Sequence, residues 1–405
     1  MGGTIVTGNG DLIKQLNRSL VLDLIRRQGP ISRAEVKRIT GLNFTTVTNA
    51  VNDLVEAGFV HEAGLGTSSG GRKPLLLQLN PTSRYVLGCE LQSTELVVGL
   101  FDLTGNLVAR ADLLKEPATS PETVVERVVL GIRQVLAEGR VPLERVEGLG
   151  VAAPGPLNYE TGVMLTPPNM LGWHDVPLRD MLAKATGLPV YVEKDGNAAA
   201  LGEVWFGAGQ EVRNLIYIIV DAGIGAGIMT DGHLYRGSAS GAGELGHTTI
   251  DLDGPRCSCG NYGCLEAIAS GFALGRKAGE AIRRGVASKL ADNPEIGVAQ
   301  ILAAAEEGDK LAVDLLDECG RTLGIAVANL VNMYNPELIV LGGRLALHSP
   351  VMLERARELG VARAFSVLSK EVRIVPAQLG DKFLLAGAAA LVLAQLFRGP
   401  VEAAG

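Results

Sequence analysis

Three of the chain's five cysteines fall within eight residues, as Cys257-Ser-Cys259-Gly-Asn-Tyr-Gly-Cys264, with His247 ten positions upstream of the first. No other stretch restricts the backbone so strongly. Thiolate sulfurs and a neutral imidazole are the ligands a tetrahedral zinc prefers. Gly254, Pro255, Gly260 and Gly263 allow the tight turns needed to aim three sulfurs at one point. The spacing predicts a closed Cys3His site made of His247, Cys257, Cys259 and Cys264. A closed site leaves no position for a reacting water, so the zinc is expected to be structural. The competing explanation, three cysteines that are merely close, fits poorly with their scarcity elsewhere.

Two carboxylates flank this segment. Glu244 precedes His247 by three residues, and Glu266 follows Cys264 by two. A metal that fixes His247 and Cys264 would also hold both acids in place. Each carboxylate then offers two acceptor oxygens to hydroxyl groups, which is how a sugar is bound. Without the metal they would be ordinary surface glutamates.

The runs Glu244-Leu-Gly-His247 and Cys257-Ser-Cys-Gly-Asn-Tyr-Gly-Cys-Leu-Glu266 resemble the signature of the ROK family of sugar-responsive repressors and sugar kinases. The resemblance extends from about Tyr85 to the C-terminus. It implies a structural zinc in this motif, and sugar contacts from Glu244, His247 and Glu266.

A chain of 405 residues exceeds one ordinary core, so two or three domains are expected. We find no run of 18 apolar residues and no basic-then-apolar leader, so neither a membrane span nor a signal peptide is expected. Clustered cysteines without a disulfide pattern suit a reducing cytoplasm. The net charge of −7 argues against nonspecific nucleic-acid binding by the whole chain, but the charge is uneven. Residues 1–80 hold nine Lys or Arg against six Asp or Glu, a net of +3, which leaves −10 for the rest. A small basic module on an acidic body is the expectation.

Within that module, Leu12, Ile13, Leu16, Leu20, Val21, Leu24 and Ile25 recur at helical spacing up to Gly29-Pro30. Ser32 and Glu35 form a capping box for a second helix ending at Gly41. Asn43 caps a third, Phe44 to Glu56, closed by Gly58. Its Val47, Val51, Leu54 and Val55 are available for a core. Asn43, Thr45, Thr46, Thr48 and Asn49 can face bases or phosphates. Three short helices with a tight turn between the last two predict a helix-turn-helix. Strands at 59–62 and 74–79 flank a glycine-rich tip that presents Arg72 and Lys73 to a minor groove or a phosphate. The Ser69-Gly-Gly-Arg-Lys-Pro74 run resembles the wing of ROK repressors. We therefore assign 1–80 to a winged helix-turn-helix DNA-binding domain.

Residues 81–405 are assigned to the sugar-binding domain, α/β in class, with the zinc site at 247–264. Strands are expected at 85–91, 96–103, 107–113 and 148–153, and a helix at 121–138. The family resemblance implies two actin-like, sugar-kinase lobes. Kinases of the family carry a phosphate-cradling Asp-x-Gly-Gly-Thr turn, but here the stretch is Glu90-Leu-Gln-Ser-Thr94. Side chains at Gln92 and Ser93 keep phosphate away from the backbone N–H groups. By resemblance Asn169 contacts the sugar. Trp173 either stacks on it or belongs to the core. Asp195 matches the kinases' catalytic base, while Lys194 replaces the usual asparagine. Asp195 is expected to bind a hydroxyl, to cap the following helix, or both.

Further along, Asp221 to Gly227 is either a tight hairpin or a relic of the second phosphate loop. Helices are expected at 265–284, 298–306, 310–331, from about 351, and at 384–397, with strands at 215–220, 335–343 and 372–375. Cys89 and Cys319 lie in apolar patterns and belong to the core. The combined expectation is a repressor that binds operator DNA as a homodimer or tetramer and is released or modulated by a monosaccharide, free or phosphorylated, for which the resemblance suggests xylose or glucose. The alternative is an ATP-dependent sugar kinase with a DNA-binding appendage, using Asp195 as base. A scaffold titrated by a partner protein is a third class.

Overall fold

The computed structural model describes residues 10–66, 73–114, 120–167 and 170–398. Arg72 and Asn169, both expected at sites, lie outside them.

The chain opens with α1 (Gly10–Gln28), a two-residue strand β1 (Ile31–Ser32), α2 (Arg33–Thr40) and α3 (Phe44–Glu56). Two strands follow, β2 (Val60–Leu65) and β3 (Leu75–Leu79), and pair with β1 as an antiparallel sheet in the order β1-β3-β2. The capping logic holds. Ser32 Oγ accepts from Glu35 N while the Glu35 carboxylate accepts from Ser32 N, and Gly41 ends α2 in the left-handed region. Asn43 Oδ1 accepts from Thr46 N at 2.8 Å to start α3. Val47, Ala50, Val51 and Leu54 form the buried stripe of α3. Val55, expected in that core, is exposed, because it lies a helical quarter-turn off the stripe. β1 was not foreseen; two residues leave no periodicity to detect.

The first lobe contains β4 (Tyr85–Leu91), β5 (Leu96–Asp102), β6 (Leu107–Leu114), α4 (Pro121–Gly139), β7 (Val146–Ala153), the small hairpin β8 (Leu157–Asn158) and β9 (Val163–Met164), α5 (Leu178–Thr186), β10 (Val190–Lys194) and α6 (Asp195–Phe206). Its sheet order is β10-β7-β4-β5-β6, antiparallel across β4, β5 and β6 and parallel across β4, β7 and β10.

The second lobe repeats this plan. It runs through β11 (Leu215–Val220), β12 (Ile224–Thr230), β13 (His233–Leu234), α7 (Leu265–Ala269), α8 (Gly271–Arg283), α9 (Val298–Glu306), α10 (Lys310–Tyr334), β14 (Leu338–Gly342), α11 (Arg344–His348), α12 (Pro350–Arg363) and β15 (Arg373–Pro376). The sheet order β13-β12-β11-β14-β15 has the same pattern of antiparallel and parallel neighbours as the first. This is the two-lobed α/β architecture implied by the family resemblance.

The helix expected over 265–284 is two helices. Ser270 is extended, with φ −79° and ψ 166°, and its hydroxyl accepts from Ala273 N to cap α8. The break lets Gly271 N donate to Asp221 O at 2.8 Å, tying α8 to the end of β11. Helix α11 was not foreseen either; five residues are too few for a periodic signal.

The last helix, α13 (Phe383–Arg398), returns to the first lobe and packs on α6, β4 and β7. Glycines permit this. A Cβ at Gly88 would lie 2.5 Å from Leu385 O, and one at Gly150 would overlap Ala388 O. The window Gly380–Phe397 is long and apolar enough on average to cross a membrane, although it is not an unbroken apolar run. In the fold 67 % of it is buried as a core helix. Cys89 and Cys319 are buried in the cores of the two lobes, as expected.

Candidate ligand cleft and metal centre

The metal centre assembles as the spacing predicts. The ligand atoms of His247, Cys257, Cys259 and Cys264 lie within 4.8 Å of one another. Cys257 Sγ is 3.6 Å from His247 Nδ1, and Cys259 Sγ is 3.8 Å from Cys264 Sγ. A tetrahedral zinc with ordinary bond lengths would separate sulfur from nitrogen by about 3.6 Å and sulfur from sulfur by about 3.8 Å. The four residues therefore fit zinc, with Nδ1 as the imidazole donor. The backbone holds them through a turn in which Gly260 N donates to Cys257 O, and through bridges pairing Thr249 with Cys264 and Arg256 with Tyr262. At Gly263, φ is +63° and any side chain would overlap Asp251 O, so glycine is required twice over.

This centre forms one wall of a cleft of about 1070 Å³ between the lobes. Asp195, Glu244, His247 and Glu266 all line it, so four of the five expected sugar-contacting residues are brought together. The imidazole, with Nδ1 turned to the sulfurs, has Nε2 as its other polar atom. Glu266 Oε2 accepts from Ile224 N at 3.0 Å, which fixes the carboxylate against the glycine-rich turn.

Asp195 stands at the first position of α6, and the residue before it, Lys194, occupies the cap position. The capping role considered for Asp195 therefore does not arise. Its Oδ1 accepts from the adjacent Gly196 N at 2.7 Å. Burial pushes its pKa up to about 6; Glu244 and Glu266 add to the rise, while the Gly196 bond and Lys194 oppose it.

Asp221 to Gly227 proves to be a tight hairpin, with Val220 paired to Ile224 and Asp221 N donating to Gly223 O. Its glycines serve close packing. A Cβ at Gly223 would lie 2.8 Å from Glu266 Oε2, and one at Gly227 would overlap Gly196 O. Trp173 is only 1 % exposed and belongs to the core of the first lobe, so it does not stack in the cleft.

Three features in or next to the cleft were not foreseen as site residues. Lys194 is 5 % exposed, and its ammonium donates to Ala242 O at 2.7 Å and to Glu244 Oε1 at 2.9 Å. Beneath it, Glu193 Oε1 accepts from Asn197 Nδ2 and Oε2 accepts from Arg236 Nε at 2.7 Å; the Arg236 guanidinium lies 3.7 Å over Tyr159. At the far end, Arg344 makes a bidentate pair with Asp221, Nη2 to Oδ1 at 2.6 Å. Glu90 and Glu95 line this end too, and burial pushes Glu90 up to about 7, aided by Glu95, Asp112 and Asp221 and opposed by Arg110. A departure from the family's asparagine was the only signal for Lys194; the other contacts join positions far apart in the chain.

On the N-terminal module, Asn43, Thr45 and Asn49 are exposed along α3 and Thr46 is partly buried. Thr48 is turned inward: its hydroxyl is buried without a hydrogen-bond partner among the described residues. Lys73 is exposed at the start of β3.

The ROK family model matches residues 86–395. A xylose repressor of Caldicellulosiruptor bescii is 35 % identical over 396 residues, covering 97 % of this chain and 99 % of that protein. A crystal structure of a ROK family transcriptional regulator, a homologue of the Escherichia coli Mlc protein, superposes with a TM-score of 0.85 at 33 % identity, covering 96 % of this chain and 98 % of that one. A ROK family glucokinase of Streptomyces griseus, in complex with glucose and AMPPNP, superposes with a TM-score of 0.67 at 31 % identity, covering 76 % of this chain and 98 % of the kinase.

Proposed function

Since the chain belongs to the ROK family, we propose that it is a transcriptional repressor of sugar-metabolism genes whose grip on operator DNA is set by a monosaccharide. One observation carries this reading. The chain matches repressors along nearly its whole length, whereas the glucokinase covers three quarters of it. The three helices and small sheet before β4 are thus shared with regulators.

In this reading residues 1–80 are the DNA-binding domain and 81–405 the sugar-binding domain. The N-terminal end of α3, with Asn43 at its cap, exposed Thr45 and Asn49 and half-buried Thr46, enters the major groove, and Arg72 and Lys73 of the wing approach the backbone or minor groove. Two copies at least are needed for two half-sites, so the protein acts as a homodimer or tetramer in the cytoplasm.

The sugar lies between the lobes. Asp195, Glu244 and Glu266 accept hydrogen bonds from its hydroxyls, His247 meets it through Nε2, and Asn169 is a further contact by family resemblance. Zinc, when bound, staples the loop that carries Glu244 and positions Cys264 two residues before Glu266. Lys194 has one ammonium proton beyond those given to Ala242 and Glu244, and that proton points the cleft toward an oxygen-rich ligand. An aldopentose such as xylose is the favoured effector, after the names of the relatives. By its differential affinity the sugar stabilises a lobe arrangement in which paired heads no longer fit the operator.

The same geometry disfavours phosphoryl transfer. Where kinases need bare backbone amides, Gln92 and Ser93 interpose side chains. The test pairs two assays on the purified full chain. A duplex selected from random sequence should bind tightly and be released by xylose or another monosaccharide, and ADP formation with the same sugars should stay at background. Sugar-dependent ADP formation at ordinary kinase rates would replace this reading with the kinase one.

A further inference from the structure

We propose that Arg26, far from the sugar, is the residue that makes the DNA-binding head follow the cleft, through its cation–π contacts with Trp205 and Phe397; this rests on the repressor reading above.

Helix α6 joins the two regions. It begins at Asp195 in the cleft and ends at Phe206. Trp205 therefore lies roughly 15 Å further along the axis, at 1.5 Å per residue. The Arg26 guanidinium sits 4.3 Å from the Trp205 ring centroid and 5.3 Å from that of Phe397 on α13. Asp23 fixes its plane, accepting from Nε at 3.0 Å and Nη2 at 2.8 Å. The two rings themselves meet at 5.7 Å with a 51° tilt, so the guanidinium lies over a corner formed by both, and such a cation–ring contact is directional in a way that aliphatic packing is not.

The surroundings make α6 a stiff transmitter. α6 and α13 cross at small residues: a Cβ at Gly202 would lie 3.0 Å from the Gly387 Cα, and one at Gly387 would overlap Ala198 O. Such a contact does not slide without a clash, so the two helices move together. Buried Glu203 accepts from Ala208 N at 2.7 Å, Gln378 N at 2.9 Å and Leu379 N at 3.1 Å, joining the end of α6 to the segment after β15. Ser19 Oγ donates to Leu396 O at 3.3 Å, a second tie from α1 to α13.

On the other side, α1 is the platform of the head. Val21, Leu22 and Ile25 share one apolar cluster with Val47, Val51 and Leu54 of α3 and with Trp205 and Phe397. Lys14 pairs with Asp53 of α3 at 2.8 Å. A tilt of α6 that accompanies sugar binding at Asp195 is thus delivered to α1 and from there to α3. Arg26 is a positioning residue: it touches neither ligand.

The experiment measures linkage. The Kd of the full chain for its selected duplex is determined by fluorescence anisotropy without and with saturating xylose, and the Kd for xylose of the DNA-free protein by calorimetry. Wild type is expected to lose at least tenfold in DNA affinity on adding xylose. Arg26→Met should lose less than threefold while its xylose Kd stays within twofold of wild type. Arg26→Lys keeps the charge but not the two-nitrogen bond to Asp23 that orients the cation over both rings, and should resemble Arg26→Met; it is also the variant read if Arg26→Met does not fold. A wild-type-sized response in Arg26→Lys, or loss of xylose binding in parallel with the response, overturns the proposal. If wild type itself responds to neither xylose nor glucose, the sugar-responsive reading falls and this proposal with it.

Discussion

The Lys194 ammonium, at the end of a first-lobe strand, lies 2.9 Å from Glu244 Oε1, next to the second-lobe metal loop, so one ion pair spans the cleft. The pair is lopsided: the Lys194 side chain is 6 % exposed and that of Glu244 50 %. Removing Glu244 leaves a buried cation with, among the described residues, the Ala242 carbonyl as its hydrogen-bond partner, whereas removing Lys194 leaves a carboxylate that water can reach. Glu244→Ala should therefore cost about 1–3 kcal/mol, and Lys194→Met no more than about 1 kcal/mol. Equilibrium urea unfolding of the two variants checks the order; equal costs would show that the pair is solvated.

Asp195 should impose a pH dependence of a definite sign. Its native pKa of about 6 is above that of an unfolded aspartate, so the neutral form is the one the fold favours. The stability this gives is complete below about pH 4 and is lost as pH rises through about 6. Asp195→Asn should then melt higher than wild type at pH 8, by the equivalent of roughly 1–3 kcal/mol, and equal it at pH 4. The same substitution should weaken monosaccharide binding, because a carboxylate acceptor is gone. A variant that gains nothing at pH 8 would place Asp195 in water.

Metal removal should silence the sugar response before it unfolds the lobes. The zinc ligands sit in a loop beside the cleft, outside the two large apolar clusters of the lobes. Treatment with a strong chelator, or Cys259→Ser, should abolish monosaccharide-induced thermal stabilisation while leaving far-UV circular dichroism largely intact. Metal analysis should return one zinc per chain in the untreated protein. An undiminished sugar response in metal-free protein would uncouple the two.

The face of α3 separates into residues that should matter for DNA and one that should not. Thr45→Ala and Asn49→Ala, both at exposed positions, should each weaken binding to a selected duplex by about 1–3 kcal/mol. Thr48 has a buried hydroxyl without a partner among the described residues, so Thr48→Val should leave DNA binding unchanged and raise stability by up to about 1 kcal/mol. Anisotropy titrations and melting curves on the three variants decide it.

The residues that the sequence alone placed correctly are those whose partners are close in the chain. The Ser32 and Glu35 box, the Asn43 cap and the Cys257, Cys259 and Cys264 cluster all arise from local spacing, which fixes backbone geometry before any tertiary contact forms. The two-lobed plan followed from the family resemblance and needed no side-chain detail. What failed were judgements about which way a side chain points. Val55 faces out and Thr48 turns in, because each depends on elements packed around it, while Trp173, left open between cleft and core, takes its place in the core of the first lobe. The ties that give the protein its proposed action were invisible for the same reason. Lys194 meets Glu244 across 50 positions, and Arg26 reaches Trp205 and Phe397 on two helices that come together only when the last helix closes on the first lobe. Local chemistry thus set the metal loop and the caps, while the tertiary fold alone decided how cleft and head are joined, since that junction is made of charges and rings that sequence spacing does not bring together.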